Sequence, residues 1–377
     1  MYDVVIAGAG PAGSACALAL SRYGHRVALV DKARFPRDKI CGDAVPGAAW
    51  RHLTRLAEEL GVPHPRPEPH ADIKHARFYG DGPRPLRLSW HVPAFNATRV
   101  ALDDYLYRAV GEYTLTEVRS GGRVTGCSLG SGGVDIATST GTLRAKLVIG
   151  CDGAHSAVAR ALTATRLDRR HHLAAVRAYF RGVAGAAEGT NDFYFLRRWQ
   201  PGYLWVFPVG DGLFNVGFGM ASDAIAARRI DLRAALAEAL AQHPTLRGRF
   251  AGAEQLGRTV GFGLPVGSRT VPASGHRFML CGDAASLIDP LGGHGIDKAI
   301  ESGILAAAQA DWCLRHRRFA ALDMLPYEEA LERSIRPTLR RNGWVAQVGS
   351  RAPWLMDVAL GLERVPGLKR WAQGWLS

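Results

Sequence analysis

An α/β fold is predicted for this chain: a parallel sheet flanked by helices, interrupted by an antiparallel sheet and followed by a helical C-terminus. Three observations carry the prediction. Short apolar runs at Val4–Ala7, Leu147–Gly150 and Phe278–Cys281 end in glycine or aspartate turns, as buried parallel strands do. Between about residues 174 and 220 the pattern changes to short alternating strands. From Ile296 onward helical periodicity takes over.

The first run leads into Gly8-Ala9-Gly10-Pro11-Ala12-Gly13. Gly8 permits the tight turn, Gly10 lets backbone approach a pyrophosphate, and Gly13 lets the next helix pack on the strand, with Ala12 beside them. A helix starting near Pro11 aims unpaired N–H groups and its positive end at the phosphates. Arg26–Val30 reads as the second strand, and Asp31 closes it where a carboxylate accepts from ribose hydroxyls. Leu102–Val110 reads as a helix preceded by Thr98-Arg99. Residues 114–149 read as a glycine-punctuated meander containing Val124, which returns to the sheet and ends at Asp152-Gly153. Strands follow at Ala175–Phe180, Asp192–Leu196, Tyr203–Phe207 and Leu213–Phe218, then a helix at Ile230–Gln242. The third parallel run ends at Gly282-Asp283. A long helix, Ile296–Leu314, opens on Gly292-Gly293-His294-Gly295. A Rossmann-like unit with three strand-ending motifs in this order holds one flavin dinucleotide, FAD, at three places. The boundaries that follow are 1–75, 97–172 and 265–320 for a discontinuous FAD-binding domain, 76–96 with 173–264 for a substrate-binding domain, and 321–377 for a helical C-terminal segment.

Composition agrees with a folded enzyme. The 377 residues are 47% hydrophobic, and no apolar run reaches the ~18 residues of a membrane span. Met1 leads directly into the first strand, leaving no room for a signal peptide, which predicts a cytoplasmic protein, with peripheral membrane contact left open. The net charge of +13 rests on 47 basic residues, of which 41 are arginine. Without a dense basic run or a nucleic-acid motif, this bias argues against nucleic acid and leaves a membrane surface or charged substrate open. The six cysteines show no C-x-x-C pair and argue for neither zinc nor a disulfide framework. Four of the nine tryptophans (Trp344, Trp354, Trp371, Trp375) fall near the C-terminus among apolar and basic residues. That segment either closes a substrate cavity or lies on a bilayer.

With these motifs in view, the chain resembles the geranylgeranyl-reductase-like branch of FAD-dependent oxidoreductases, related to aromatic hydroxylases and flavin-dependent halogenases. Its marks are Phe35-Pro36-Arg37-Asp38-Lys39-Ile40-Cys41-Gly42, Asp152-Gly153-Ala154-His155-Ser156, Gly282-Asp283-Ala284-Ala285 with Asp289-Pro290-Leu291, and the Gly292–Ile296 loop. The most discriminating is Tyr203-Leu204-Trp205-Val206-Phe207-Pro208 with Gly217-Phe218-Gly219, similar to the reductases' substrate-site signature. The resemblance implies that Asp283 bonds the ribityl chain and that Arg99 lies near the cofactor; an ordinary surface ion pair with Asp103 is the alternative for Arg99. It also implies that Cys41 sits near flavin and substrate, where a thiol could donate a proton, shape the pocket or merely pack. His294 and Asp43 depart from the family's pattern. An imidazole in the Gly293–Gly295 loop could serve as general acid or only bond locally.

The residues add their own logic. Tyr203, Trp205 and Phe207 alternate on one strand face, and Gly217 and Gly219 leave one face of the partner strand bare. Together they predict a flat slot for an elongated apolar molecule, or else an aromatic core stripe. Backbone N–H groups at Gly293, Gly295 and Ile296 favour the reduced flavin's negative charge. The function that these features and the family resemblance together imply is hydride transfer from reduced FAD to carbon–carbon double bonds of an isoprenoid or similarly apolar substrate, with a proton from Cys41, His294 or water. No second dinucleotide fingerprint is present, so NAD(P)H binds transiently or a reduced carrier protein supplies electrons. The alternatives are a flavin monooxygenase and an electron-transfer flavoprotein.

Overall fold

The computed structural model describes residues 1–64, 66–82 and 84–351, with the side chain of His91 outside the description. In chain order, β1 (Tyr2–Ala7), α1 (Pro11–Leu20) and β2 (Val27–Asp31) form the opening unit. β3 (Ala44–Val45), α2 (Gly47–Leu60), β4 (Ala71–Tyr79) and β5 (Leu86–Asn96) follow, then α3 (Arg99–Tyr113). The meander is β6 (Glu117–Ser120), β7 (Val124–Gly130), β8 (Gly133–Thr138) and β9 (Gly141–Gly150), closed by α4 (Ala157–Leu162). Next come β10 (His172–Arg181), β11 (Thr190–Tyr194), β12 (Gly202–Pro208) and β13 (Leu213–Ala221). Then follow α5 (Ser222–Arg228), α6 (Leu232–Gln242), α7 (Pro244–Phe250) and β14 (Glu254–Pro265). β15 (Ser274–Gly275), β16 (Phe278–Leu280), α8 (Ile296–His316), α9 (Leu325–Ser334) and α10 (Arg336–Arg351) complete the described chain.

Two sheets organise these elements. The first runs β15-β16-β9-β1-β2-β6, parallel from β16 to β6, with β8 paired to β9 and β7 to β8. Its central strands are buried almost throughout, sharing one core with α1, α8 and the meander residues Val134 and Ile136, which is why they read as continuous apolar runs. α1 is buried throughout, and its Ala/Gly-rich sequence permits close packing: a Cβ at Gly303 of α8 would overlap the Ala12 carbonyl oxygen. The second sheet runs β14-β10-β13-β12-β11-β4-β5-β3 and is antiparallel except where β11 meets β4. One face packs on α6 around Phe218, Tyr194 and Leu236. The other faces the first domain.

Several sequence expectations shift here. The second sheet recruits residues 44–45 and 71–75, which the boundaries drawn from sequence give to the first domain. Ile230–Gln242, read as one helix, begins only after Asp231, whose carboxylate accepts the N–H groups of Arg233 (2.8 Å) and Ala234 (3.3 Å) as an N-cap. Trp354, Trp371 and Trp375 lie outside the described residues. Among those described, no helix is long and apolar enough to cross a membrane.

Candidate active site

The β1–α1 turn divides its glycines into two kinds. A Cβ at Gly8, where φ is 98°, would run into the Cys151 carbonyl, and one at Gly13 would overlap the Gly8 carbonyl oxygen. Those two close the turn. Gly10 instead faces space, its nearest neighbours being Arg37 Nη2 at 3.6 Å and Arg99 Nη2 at 3.9 Å. α1 starts there with no side-chain cap on its N–H groups. Both guanidiniums are held by one carboxylate. Asp103, fully buried, accepts from Arg99 Nε (2.8 Å) and Nη2 (2.7 Å) and pairs with Arg37 at 2.5 Å. Burial works against the Asp103 carboxylate, yet the Arg99 and Arg37 guanidiniums hold its pKa below the usual range. Arg99 is therefore no surface ion pair: it is 3% exposed. Two cations on one anion, beside a bare helix N-terminus, leave net positive charge at the turn, which fits a pyrophosphate.

Around this cradle the other predicted residues fall into place unevenly. Asp31 accepts the Ala9 N–H (2.7 Å) on one oxygen and the Ala33 N–H (2.8 Å) on the other, bracing the turn while each oxygen keeps a lone pair for a hydroxyl. Val124 begins β7, two residues past Gly122, whose N–H donates to the Asp31 carbonyl (3.0 Å). Asp152 accepts from Ala157 N–H (2.6 Å) at the start of α4, whose N-cap is Ser156, while Gly153 takes φ 80°. Asp283 pairs with Lys39 at 2.9 Å, and both line the main cavity.

That cavity encloses about 1240 Å³ between the two sheets. Cys41 and Gly42 reach it from one loop, and Gly293, His294, Gly295 and Ile296 from another. The second loop is fixed from behind. Buried Asp289 accepts from Leu291 (2.9 Å) and Gly292 (2.7 Å) N–H groups, and its other oxygen takes Asn342 Nδ2 of α10 at 2.6 Å. Gly293 adopts φ 66°, and α8 opens at Gly295 without a side-chain cap. His294 Nε2 lies 3.7 Å from the Asp297 carboxylate, which also pairs with Lys298 at 2.5 Å.

Tyr203, Trp205 and Phe207 form the wall on the second sheet. Tyr203 donates its hydroxyl hydrogen to the Gly292 carbonyl at 2.6 Å, joining β12 to the loop. The slot between aromatics and bare glycines is filled, however. A Cβ at Gly217 would sit inside the Trp205 ring, and one at Gly219 would meet its Cζ3 at 3.6 Å. The glycines make room for the indole, and the open space lies beyond it, toward Cys41 and the Gly293 loop.

A family model described as an FAD binding domain matches residues 1–315. The chain is 33% identical to a menaquinone reductase of Mycolicibacterium smegmatis over 322 residues, 81% of this chain and 75% of that one. It is 28% identical to a digeranylgeranylglycerophospholipid reductase of Thermoplasma acidophilum over 365 residues, 92% and 87% of the two chains. A crystal structure of a geranylgeranyl bacteriochlorophyll reductase-like protein from Thermoplasma acidophilum matches with TM-score 0.79 at 27% identity, covering 92% of this chain and 87% of that one. This chain belongs to the geranylgeranyl reductase-like family of FAD-dependent oxidoreductases. A halogenase in complex with FAD shares the fold at TM-score 0.73 and 19% identity, covering 88% and 73%.

In this flavoprotein the thiol at Cys41 is pushed up by burial, against the nearby Arg99 guanidinium, so it stays protonated at neutral pH. Beside it lies a polar cluster that sequence reasoning missed. Asp43, noted there only as a family departure, is fully buried and accepts from Tyr179 (2.6 Å) and Asn215 (2.8 Å). Asn215, Tyr179 and Asn342 carried no motif to mark them. Arg37 stood inside the Phe35–Gly42 segment without a role, and Tyr179 and Asn215 only inside expected strands.

Proposed function

We propose that this flavoprotein reduces carbon–carbon double bonds in an isoprenoid chain or a similarly apolar substrate. Bound FAD, once reduced, supplies the hydride; NAD(P)H or a reduced carrier protein is its donor. The single observation that carries the reading is the cavity. It runs from Pro11 and Asp283 on the FAD side to the aromatic face of β12 and to α10, beyond the part of its volume that the cofactor takes. The names of the relatives, reductases of menaquinone and of a digeranylgeranyl lipid, support a prenylated substrate.

In this reading Arg37 and Arg99, steered by Asp103, hold the pyrophosphate at Gly10, and Asp31 meets the ribose. Asp283 meets the ribityl chain, and Asp152, Gly153 and Val124 border the cofactor. N–H groups at Gly293, Gly295 and Ile296 stabilise negative charge on the reduced ring. Tyr203, Trp205, Phe207 and Gly219 line the apolar chain's path, with Gly217 seating the indole. Cys41 or His294 delivers the proton. α10, carrying Trp344 at 66% exposure beside Arg340, Arg341 and Arg351, forms the mouth through which a lipid enters from a membrane surface.

The test is anaerobic reduction of the purified holoprotein followed by reoxidation. Polyprenyl lipids should reoxidise the flavin faster than air does, with a saturated product. Fast reoxidation by air through a transient oxygenated-flavin absorbance, and none by the lipids, would refute the proposal.

A further inference from the structure

Asp43 stands in the left-handed region at φ 63°, a conformation that Asp and Asn tolerate better than most residues. Its backbone carbonyl accepts the Ala97 N–H at 3.1 Å, which pins the loop after Cys41 to the start of the α3 segment. Its Oδ2 accepts two hydrogen bonds, from Tyr179 and from Asn215 Nδ2. Asn215, also fully buried, faces two further groups: its Oδ1 accepts from Trp205 Nε1 at 2.8 Å, and its Nδ2 reaches the Cys41 carbonyl at 2.8 Å.

We propose that Asp43 is a positioning residue that, through Asn215, locks the Trp205 indole and the Cys41 backbone into one arrangement at the cavity wall. This rests on the reading that Trp205 and Cys41 face the substrate. The logic lies in which groups donate. An indole N–H only donates, while a carbonyl and a carboxylate only accept. An amide between them has one orientation that satisfies all three, with oxygen toward Trp205 and nitrogen toward Asp43 and Cys41. The flipped amide leaves buried groups unpaired, at about 1–3 kcal/mol each. Arg177, stacked 4.1 Å over the Tyr179 ring and ion-paired with Asp38, closes the cluster's outer side.

The clamp needs an acceptor oxygen and not a charge. Asp43 Oδ1 is buried and bonds to nothing among the described residues, so a proton there disturbs no contact. In agreement, burial raises the Asp43 pKa to about 6, against the hydrogen bonds from Tyr179 and Asn215. Asparagine at position 43 can present the same acceptor; alanine cannot.

The holoenzyme tests this without any substrate. Hydrogen exchange of the Trp205 indole N–H, assigned by its loss in Trp205→Phe, reads the indole. Alkylation of Cys41 by iodoacetamide, followed on its peptide, reads the loop. Asp43→Ala should speed both by roughly ten- to a hundredfold, the equivalent of one buried hydrogen bond. Asp43→Asn should keep both near the wild-type rates. Should Asp43→Ala fail to fold, Asn215→Leu, of similar volume, severs the same links and should speed Cys41 alkylation alike. Wild-type rates in a folded Asp43→Ala or Asn215→Leu protein would overturn the proposal. So would an Asp43→Asn protein as loose as Asp43→Ala. Because neither readout involves turnover, these outcomes stand apart from failure of the lipid assay.

Discussion

Cys41 and His294 approach one cavity from two loops, and in the proposed reading either is the acid. Burial pushes the Cys41 thiol up, so it holds its proton throughout the neutral range and, in the proposed reading, yields it to a strong base such as a developing carbanion. Cys41→Ser should slow the alkene step by roughly 10²–10⁴-fold with FAD content unchanged. In the parent enzyme that step should stay level from neutral pH to the ordinary thiol range near ~8.5 and fall only above it, since the shift is upward. A fall centred below pH 7 would remove the thiol as acid. Asp43 gives a second pH signature. Its folded pKa of about 6 exceeds the 3.8 of an ordinary aspartate, so the native state binds the proton more tightly. Stability is fully present below the unfolded value and lost as pH rises through about 6, by roughly 3 kcal/mol at most. Urea unfolding at several pH values should show this loss shrinking in Asp43→Asn relative to the parent. Sequence alone marked Cys41 and His294 through their glycine-punctuated loops. It had no means to mark Asn215, because a buried amide on a strand leaves no local pattern and its partners lie far away in the chain.

At the scale of elements, the glycine turn separates folding from cofactor binding. Gly13→Val forces a side chain into the Gly8 carbonyl, whereas Gly10→Val has room in the protein itself. Gly10→Val should therefore fold with near-parental circular dichroism and melting behaviour but purify without FAD, while Gly13→Val should lose the folded domain. FAD retained by the Gly10 variant would relocate the phosphates. The parallel strands were readable because burial on both faces imposes continuous apolar runs. β12 and β13 were readable because their alternation survives in sequence. Residues 50–95 were not: β4 carries a register shift between Ile73 and His75, and its parallel partner β11 lies over a hundred residues away. The helix read as Ile230–Gln242 starts two residues later because Asp231 acts as its N-cap, which the apolar periodicity had concealed.

For the whole molecule, the cavity exists only where the two sheets and α10 meet. Trp344 is exposed at its mouth, so Trp344→Glu should raise KM for a long polyprenyl lipid several-fold, by lost apolar contact, and leave a short soluble alkene unaffected. Equal effects on both substrates would place Trp344 outside the path. The sequence by itself determined the α/β plan with its parallel and antiparallel sheets and the FAD cofactor. Strand periodicity and glycine turns are local requirements, and they leave local marks. Only the tertiary structure decided that Arg37 and Arg99 share Asp103 beside Gly10, that the Trp205 indole fills the space over Gly217, and that Asp43 holds the wall through Asn215. Each of these joins residues from separate elements through a buried hydrogen bond or a volume fit, and such pairings are fixed by packing in three dimensions.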